Sequence, residues 1–167
     1  MTWPAPRRLP WLLVISAAVI AADRLTKIWV GHHVEIGSSI PLIPGVFGIS
    51  HWTNDGAAFS MFADSASPHR VRTALIAFTL VAAAAVLVAM IRLGSRITLT
   101  TVALALILGG AIGNLYDRFR YEYVTDFLEV MIVHYHWPDF NFADSCITIA
   151  ACLLVLEIFK PPAETSE

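Results

Sequence analysis

The stretch FNFADSC, Phe140 to Cys146, opens an apolar run that continues ITIAACLLVLEIF to Phe159. The run is apolar enough to enter a membrane, yet Asn141 and Asp144 stand at its threshold. A carboxylate at membrane depth is expensive, so Asp144 requires either a structural or a functional reason. The structural reason is available locally. Asn141 can cap a helix whose third residue is Asp144, and an acid there suits the helix dipole and resembles a capping box. Below it, Thr148 and Ala151/Cys152 continue a small, polar stripe, so Asp144 is expected to face protein or water rather than lipid.

Working outward, three further blocks have the length of a membrane span. With the first quoted run they lie at about residues 11–30, 71–91, 97–116 and 142–159, each close to the roughly 20 residues that cross the hydrocarbon. The 167-residue chain is 57% hydrophobic and only 14% charged, against about 25% charged in a soluble domain. These features predict an all-α polytopic membrane protein, residues 1–167 forming one domain, with outer loops at about 31–70 and 117–141. A net charge of −2 argues against a nucleic-acid binder, which would show a basic face. Cys146 and Cys152 lie six apart on one helix and cannot bridge each other.

Arg7 and Arg8 precede the first span, Arg92 and Arg96 fill the tight turn between the second and third, and Lys160 follows the fourth. This pattern places both termini and that turn in the cytoplasm. In the first outer loop, Pro41, Pro44, Gly45, Gly48 and Asn54-Asp55-Gly56 break short apolar runs, which reads as short strands and turns. In the second, FLEVMIVHYHW after Asp126 reads as a short amphipathic helix ending at Pro138.

Polar residues mark the outer end of the bundle. Asp23 and Lys27 share one helix face, which reads as a structural ion pair with Lys27 snorkelling outward. Gly109, Gly110 and Gly113 form small rows that allow close helix approach, and Asn114, Asp117 and Arg118 crowd the last turns of the third span. A hairpin joining spans three and four can bring Asp126 to Asp144. Two carboxyls in one low-dielectric site cannot both ionise easily, so one keeps a proton, the arrangement of acid–base peptide hydrolysis. His134, His136 and Asp139 are the best metal-ligand candidates, although HxH with a nearby acid is a weak pattern. A different class of function, a small proton- or ion-coupled transport protein with Asp23, Asp126 and Asp144 as relay, fits the same acids less well, because a relay needs them at several depths.

Taken in order, Asp23-x-x-x-Lys27, Asn54-Asp55-Gly56-Ala57-Ala58-Phe59-Ser60, Gly109-Gly110-x-x-Gly113-Asn114-x-x-Asp117-Arg118, Val124-Thr125-Asp126-Phe127 and Phe140-Asn141-Phe142-Ala143-Asp144 resemble the bacterial lipoprotein signal peptidases (signal peptidase II), intramembrane aspartic proteases. Two positions depart from that pattern: Arg24, where the family often has Gln, and Thr125, where it often has Val. The resemblance implies four transmembrane helices, a small extracytoplasmic β-cradle and a short interfacial helix. It implies Asp126 and Asp144 as the catalytic dyad, with Asn54, Gly56, Asn114, Arg118, Asn141 and Ala143 lining or supporting the site. It implies no metal or other cofactor. The implied substrates are diacylglyceryl-modified prolipoproteins, cut just before the lipidated cysteine in the bacterial inner membrane near its outer leaflet, and the implied inhibitors are globomycin-type cyclic peptides. The side-chain amides of Asn54 and Asn141 are expected to hold an extended substrate backbone, and Arg118 to offset the dyad's charge.

Overall fold

The computed structural model describes residues 5–56 and 68–160. Ala57-Ala58-Phe59-Ser60 of the second motif therefore lie outside the described residues. Among those described are four helices, α1 (Leu9–His33), α2 (Pro68–Leu93), α3 (Leu99–Arg120) and α4 (Phe142–Ile158). Four strands complete the fold, β1 (Ser39–Ile43), β2 (Phe47–Asn54), β3 (Val124–Ile132) and β4 (Tyr135–Phe140). Three helices, α1, residues 69–93 of α2, and α3, are long and apolar enough to cross a membrane. At 17 residues, α4 is about 25 Å long.

The third helix is the centre of the bundle and packs against α1, α2 and α4. Its glycines set the spacing. A Cβ on Gly110 would stand 2.6 Å from the Ala143 carbonyl of α4, and one on Gly113 would stand 2.7 Å from Asp23 Oδ2 of α1. Only hydrogen fits at either place: at Gly110 α4 approaches α3 backbone to backbone, and at Gly113 the space is taken by the Asp23 side chain of α1. A small core of Leu12, Met90, Ala105 and Leu108 ties α1, α2 and α3 together lower down. The Arg8 amide donates to the Gly94 carbonyl at 2.8 Å, so the start of α1 and the α2–α3 turn share one end of the bundle.

The opposite end carries an antiparallel sheet in the order β1-β2-β3-β4. The strands expected in the first outer loop are β1 and β2. The short amphipathic helix expected after Asp126 is instead the β3–β4 hairpin, and the chain is not all-α. The segment Val124–Ile132 carries hydrophobic residues at both helical and alternating spacing, and the free edge of β2 decides between them by pairing along it. A tight turn at Val133 and His134 closes the hairpin, with Val133 held at φ 60°, a costly angle for a β-branched residue. The last residue of β4, Phe140, is followed at once by the cap of α4, Asn141, so the sheet feeds directly into the helix.

Replacing Gly110 with Ala should force α4 away from α3 and cost about 1–3 kcal/mol. Thermal unfolding in detergent, compared with Ala111→Gly on the same helix, is the check.

Candidate active site

Two asparagines and two strands build the position of Asp126. On the sheet, Asn54 of β2 pairs with Val124 of β3. Side chains alternate along a strand, so Asp126 shares the face of Val124 and lies diagonal to Asn54. The Asn54 Nδ2 donates to Asp126 Oδ2 at 2.8 Å, while its Oδ1 accepts the Gly56 amide at 2.9 Å. Asn141 works the same way from the other side. Its Oδ1 accepts the Asp144 amide at 3.0 Å, and its Nδ2 donates to Asp126 Oδ1 at 2.7 Å. In both residues the bond to a backbone amide fixes which end of the side chain is oxygen, so both present N–H to Asp126.

Asp144 belongs to the same construction. Its Oδ2 accepts the Asn141 amide at 3.3 Å, completing the capping box, and its Oδ1 accepts Asn114 Nδ2 at 2.8 Å. The helix-cap reading of Asp144 is therefore correct, and it coexists with a place on the cavity wall. Beneath it, Lys27 is 4% exposed and does not snorkel outward. Its Nζ turns into the bundle, at 2.9 Å from Asp23 Oδ2, 3.1 Å from Asn114 Oδ1 and 2.7 Å from Asp117 Oδ2. The last is a charge contact rather than an aligned hydrogen bond, since Asp117 Oδ2 has no hydrogen-bond partner. Asp23 Oδ1 accepts the Ala143 amide at 3.2 Å, so α1 caps α4. Arg24 reaches Asp117 Oδ1 at 2.7 Å and lies over the Tyr116 ring at 4.7 Å. A buried ammonium and a partly exposed guanidinium thus face two buried carboxylates. This gives the departure at Arg24 a physical role.

A cavity of about 550 Å³ opens above this layer. Asn54, Asn114, Arg118, Asp126 and Asp144 line it, with Val124, Ser145, Ile147, Thr148 and Ile149, and the β4 segment Trp137, Pro138, Asp139 and Phe140. Gly56, Asn141 and Ala143 support it from behind. Gly56 offers its carbonyl to Arg118 at 2.9 Å, and Asn141 is fully buried. The Asn141 amide therefore holds Asp126 and does not reach a substrate backbone. Arg118 is coupled by charge to both Asp144 and Asp126. Burial and then the charge of Asp144 push the Asp126 carboxyl up to about 7, against the opposing bonds from Asn54 and Asn141. Two neighbouring carboxyls, one still protonated near neutrality, can activate water and polarise a carbonyl at once.

The β4 wall was not part of the expected site. Its signal was adjacency: WPDF runs straight into Asn141. The sequence marks Asp117 as polar, but no local spacing points to Lys27 and Arg24 as its partners. The metal candidates do not converge as a set of three, although His136 Nε2 lies 3.9 Å from Asp139 Oδ2. His136 stands 3.2 Å from Glu129, Asp139 accepts Ser50 Oγ at 2.7 Å, and His134 is exposed. Among the described residues no group of three or more His, Cys, Asp or Glu side chains converges to hold a metal ion.

Lys27→Met leaves Asp23 and Asp117 buried without their shared cation, and should destabilise the protein by roughly 3–5 kcal/mol. Thermal unfolding of the purified variant measures this.

The family described as Signal peptidase (SPase) II matches residues 15–160. A lipoprotein signal peptidase of Geobacter metallireducens is 40% identical over 154 residues, covering 92% of this chain and 93% of its own. That of Pseudomonas fluorescens is 44% identical over 158 residues, covering 92% and 89%. The fold is similar to a bacterial membrane enzyme solved by the in meso method at 2.3 Å resolution, with a TM-score of 0.81, 28% identity, and coverage of 95% of this chain and 93% of that one. With this match along nearly its whole length, the chain belongs to the signal peptidase II family, a family of membrane proteases.

Proposed function

We propose that this chain removes signal peptides from prolipoproteins, with Asp126 and Asp144 as the catalytic pair. The observation that carries the reading is the single cavity into which the β3–β4 hairpin and the head of α4 bring both carboxyls. Asp126 holds the shared proton and donates it to the scissile carbonyl oxygen. Asp144, ionised, takes a proton from water, and the water oxygen attacks the carbonyl carbon. The gem-diol intermediate collapses as one of its hydroxyls returns a proton to Asp126 and the leaving nitrogen takes one from Asp144, so the C–N bond breaks and both carboxyls regain their starting states. Arg118 offsets the charge of the pair, and Asn54, Asn114 and Asn141 fix the two carboxyls.

The lipid-modified form of the substrate, cut just before its diacylglyceryl-cysteine, is part of the same proposal, as is inhibition by globomycin-type peptides. The cavity has apolar walls and lies at one end of an apolar bundle, so a chain anchored in the bilayer can enter sideways. We place α4 as a fourth span, its 17 residues shortened because its head is drawn down to Asp23. Asp23 lies about 15 Å from the sheet end of α1 and about 21 Å from the other end. The basic end, with Arg7, Arg8, Arg92 and Arg96, faces the cytoplasm, and the sheet lies at the outer leaflet of the bacterial inner membrane.

A transport relay receives no support. Asp23 is consumed by Lys27 and the Ala143 amide, and the three acids of that reading lie at nearly one depth, with Asp23 directly beneath the head of α4.

Asp126→Asn and Asp144→Asn, tested separately on a diacylglyceryl-modified prolipoprotein, should each lower turnover at least a thousandfold while the purified protein still unfolds cooperatively. Wild-type cleavage by either folded variant would sink the dyad. The pH dependence has a defined sign. Asp126 loses its proton as pH rises through about 7, so kcat/KM should fall on the alkaline side with an apparent pKa near that value. For the same reason Asp126 contributes stability below pH 4 that is lost as pH rises towards 7, because folding raises the carboxyl above its unfolded value. A rate profile flat from pH 6 to 9, with chemistry limiting, would contradict the assignment.

A further inference from the structure

Asp139 is the third carboxyl on the cavity wall, and the hydrolytic reaction has no use for it. It stands on β4, its side chain 14% exposed, with Ser50 Oγ donating to Oδ1 at 2.7 Å. Oδ2 lies 3.9 Å from His136 Nε2, beyond hydrogen-bond distance. The charged and titratable groups around Asp139 are thus His136 on its own strand and Glu129 on β3. Among the described residues lining the cavity, Arg118 is the one cation, set against three carboxyls, Asp126, Asp139 and Asp144. With one proton on the catalytic pair, two negative charges stand against one positive. Trp137, Phe140, Ile147 and Ile149 make the surroundings apolar, which strengthens charge interactions relative to water.

We propose that Asp139 is a specificity-determining residue, whose carboxylate makes the cavity reject acidic side chains next to the scissile bond and favour cationic or hydrogen-bond-donating ones. The proposal rests on the assignment of this cavity as the active site. Ser50 keeps the carboxyl in one place, so the charge is fixed to the wall instead of swinging into solvent. A substrate bearing Glu beside the cut brings a like charge into this space. One bearing Lys gains a partner. Discrimination of this kind acts on kcat/KM, through binding in the transition state as well as the ground state.

The test uses the full-length protein in detergent and a set of diacylglyceryl-modified propeptides. These carry Lys or Glu, one position at a time, at the two residues before the lipidated cysteine and the two after it. At one or more positions the wild type should cleave the Lys peptide at least tenfold better in kcat/KM than the Glu peptide. In Asp139→Asn, which keeps an oxygen for Ser50, that ratio should fall to within about threefold. A purely structural role lowers both rates together and leaves the ratio unchanged. An unchanged ratio in the variant at every position, or no preference in the wild type, would overturn the proposal. Asp126→Asn, run alongside, separates the two failures. If it cleaves as the wild type does, the active-site assignment is wrong; if it is inactive and the ratio still does not move, only the role of Asp139 is wrong.

Discussion

The side-chain amide of Asn141 joins secondary structure to chemistry. Its oxygen is committed to the first turn of α4, as a cap must be, and this turns its NH2 group towards Asp126. A cap worth about 1 kcal/mol to the helix therefore also fixes one face of a buried carboxyl. Asn54 repeats the device from β2, using a turn amide in place of a helix. Between them, both oxygens of Asp126 accept N–H bonds whose directions the backbone determines. Each oxygen keeps a lone pair for a proton or a ligand in the cavity. Preorganised dipoles of this kind need no rearrangement when charge moves.

The layer below supplies the rigidity. Burying Lys27 with Asp23 and Asp117 is costly unless every partner is met, and the three contacts of its Nζ meet that condition. One of them, to Asn114, passes the constraint upward, because the Asn114 amide then donates to Asp144. Arg24 balances the second carboxylate, and Gly113 leaves room for Asp23 to reach both Lys27 and the head of α4. Substitution within this layer should therefore disturb the cavity without touching it. The layer acts as a positioning device between α1, α3 and α4.

Much of this was legible in the sequence, for physical reasons that differ by element. Long apolar blocks can be nothing but helices in a membrane, so the helices were readable from length alone. Proline and glycine punctuation revealed β1 and β2. The hairpin β3–β4 was not readable, because FLEVMIVHYHW satisfies two periods and its strand partner lies about 75 residues earlier in the chain. The direction of Lys27 was equally hidden. Local spacing shows Asp23 one turn away, but the pull inward comes from Asn114 and Asp117 on another helix. Asp126 and Asp144 were suspected as a pair, and their meeting depends on β4 running into α4 without a linker. Histidines close in sequence make Asp139 a metal candidate, whereas its hydrogen-bond partner in space is a serine of β2.

The proposed catalytic cycle turns on one proton, held on Asp126 of the carboxyl pair until pH rises through about 7. An infrared difference spectrum between wild type and Asp126→Asn, recorded across pH 5 to 9 in detergent, observes that proton directly. The wild type should show a protonated-carboxyl band, absent from the variant, that disappears as pH rises through about 7. Its absence at pH 5, with the two spectra superimposable in that region, would contradict a proton on Asp126.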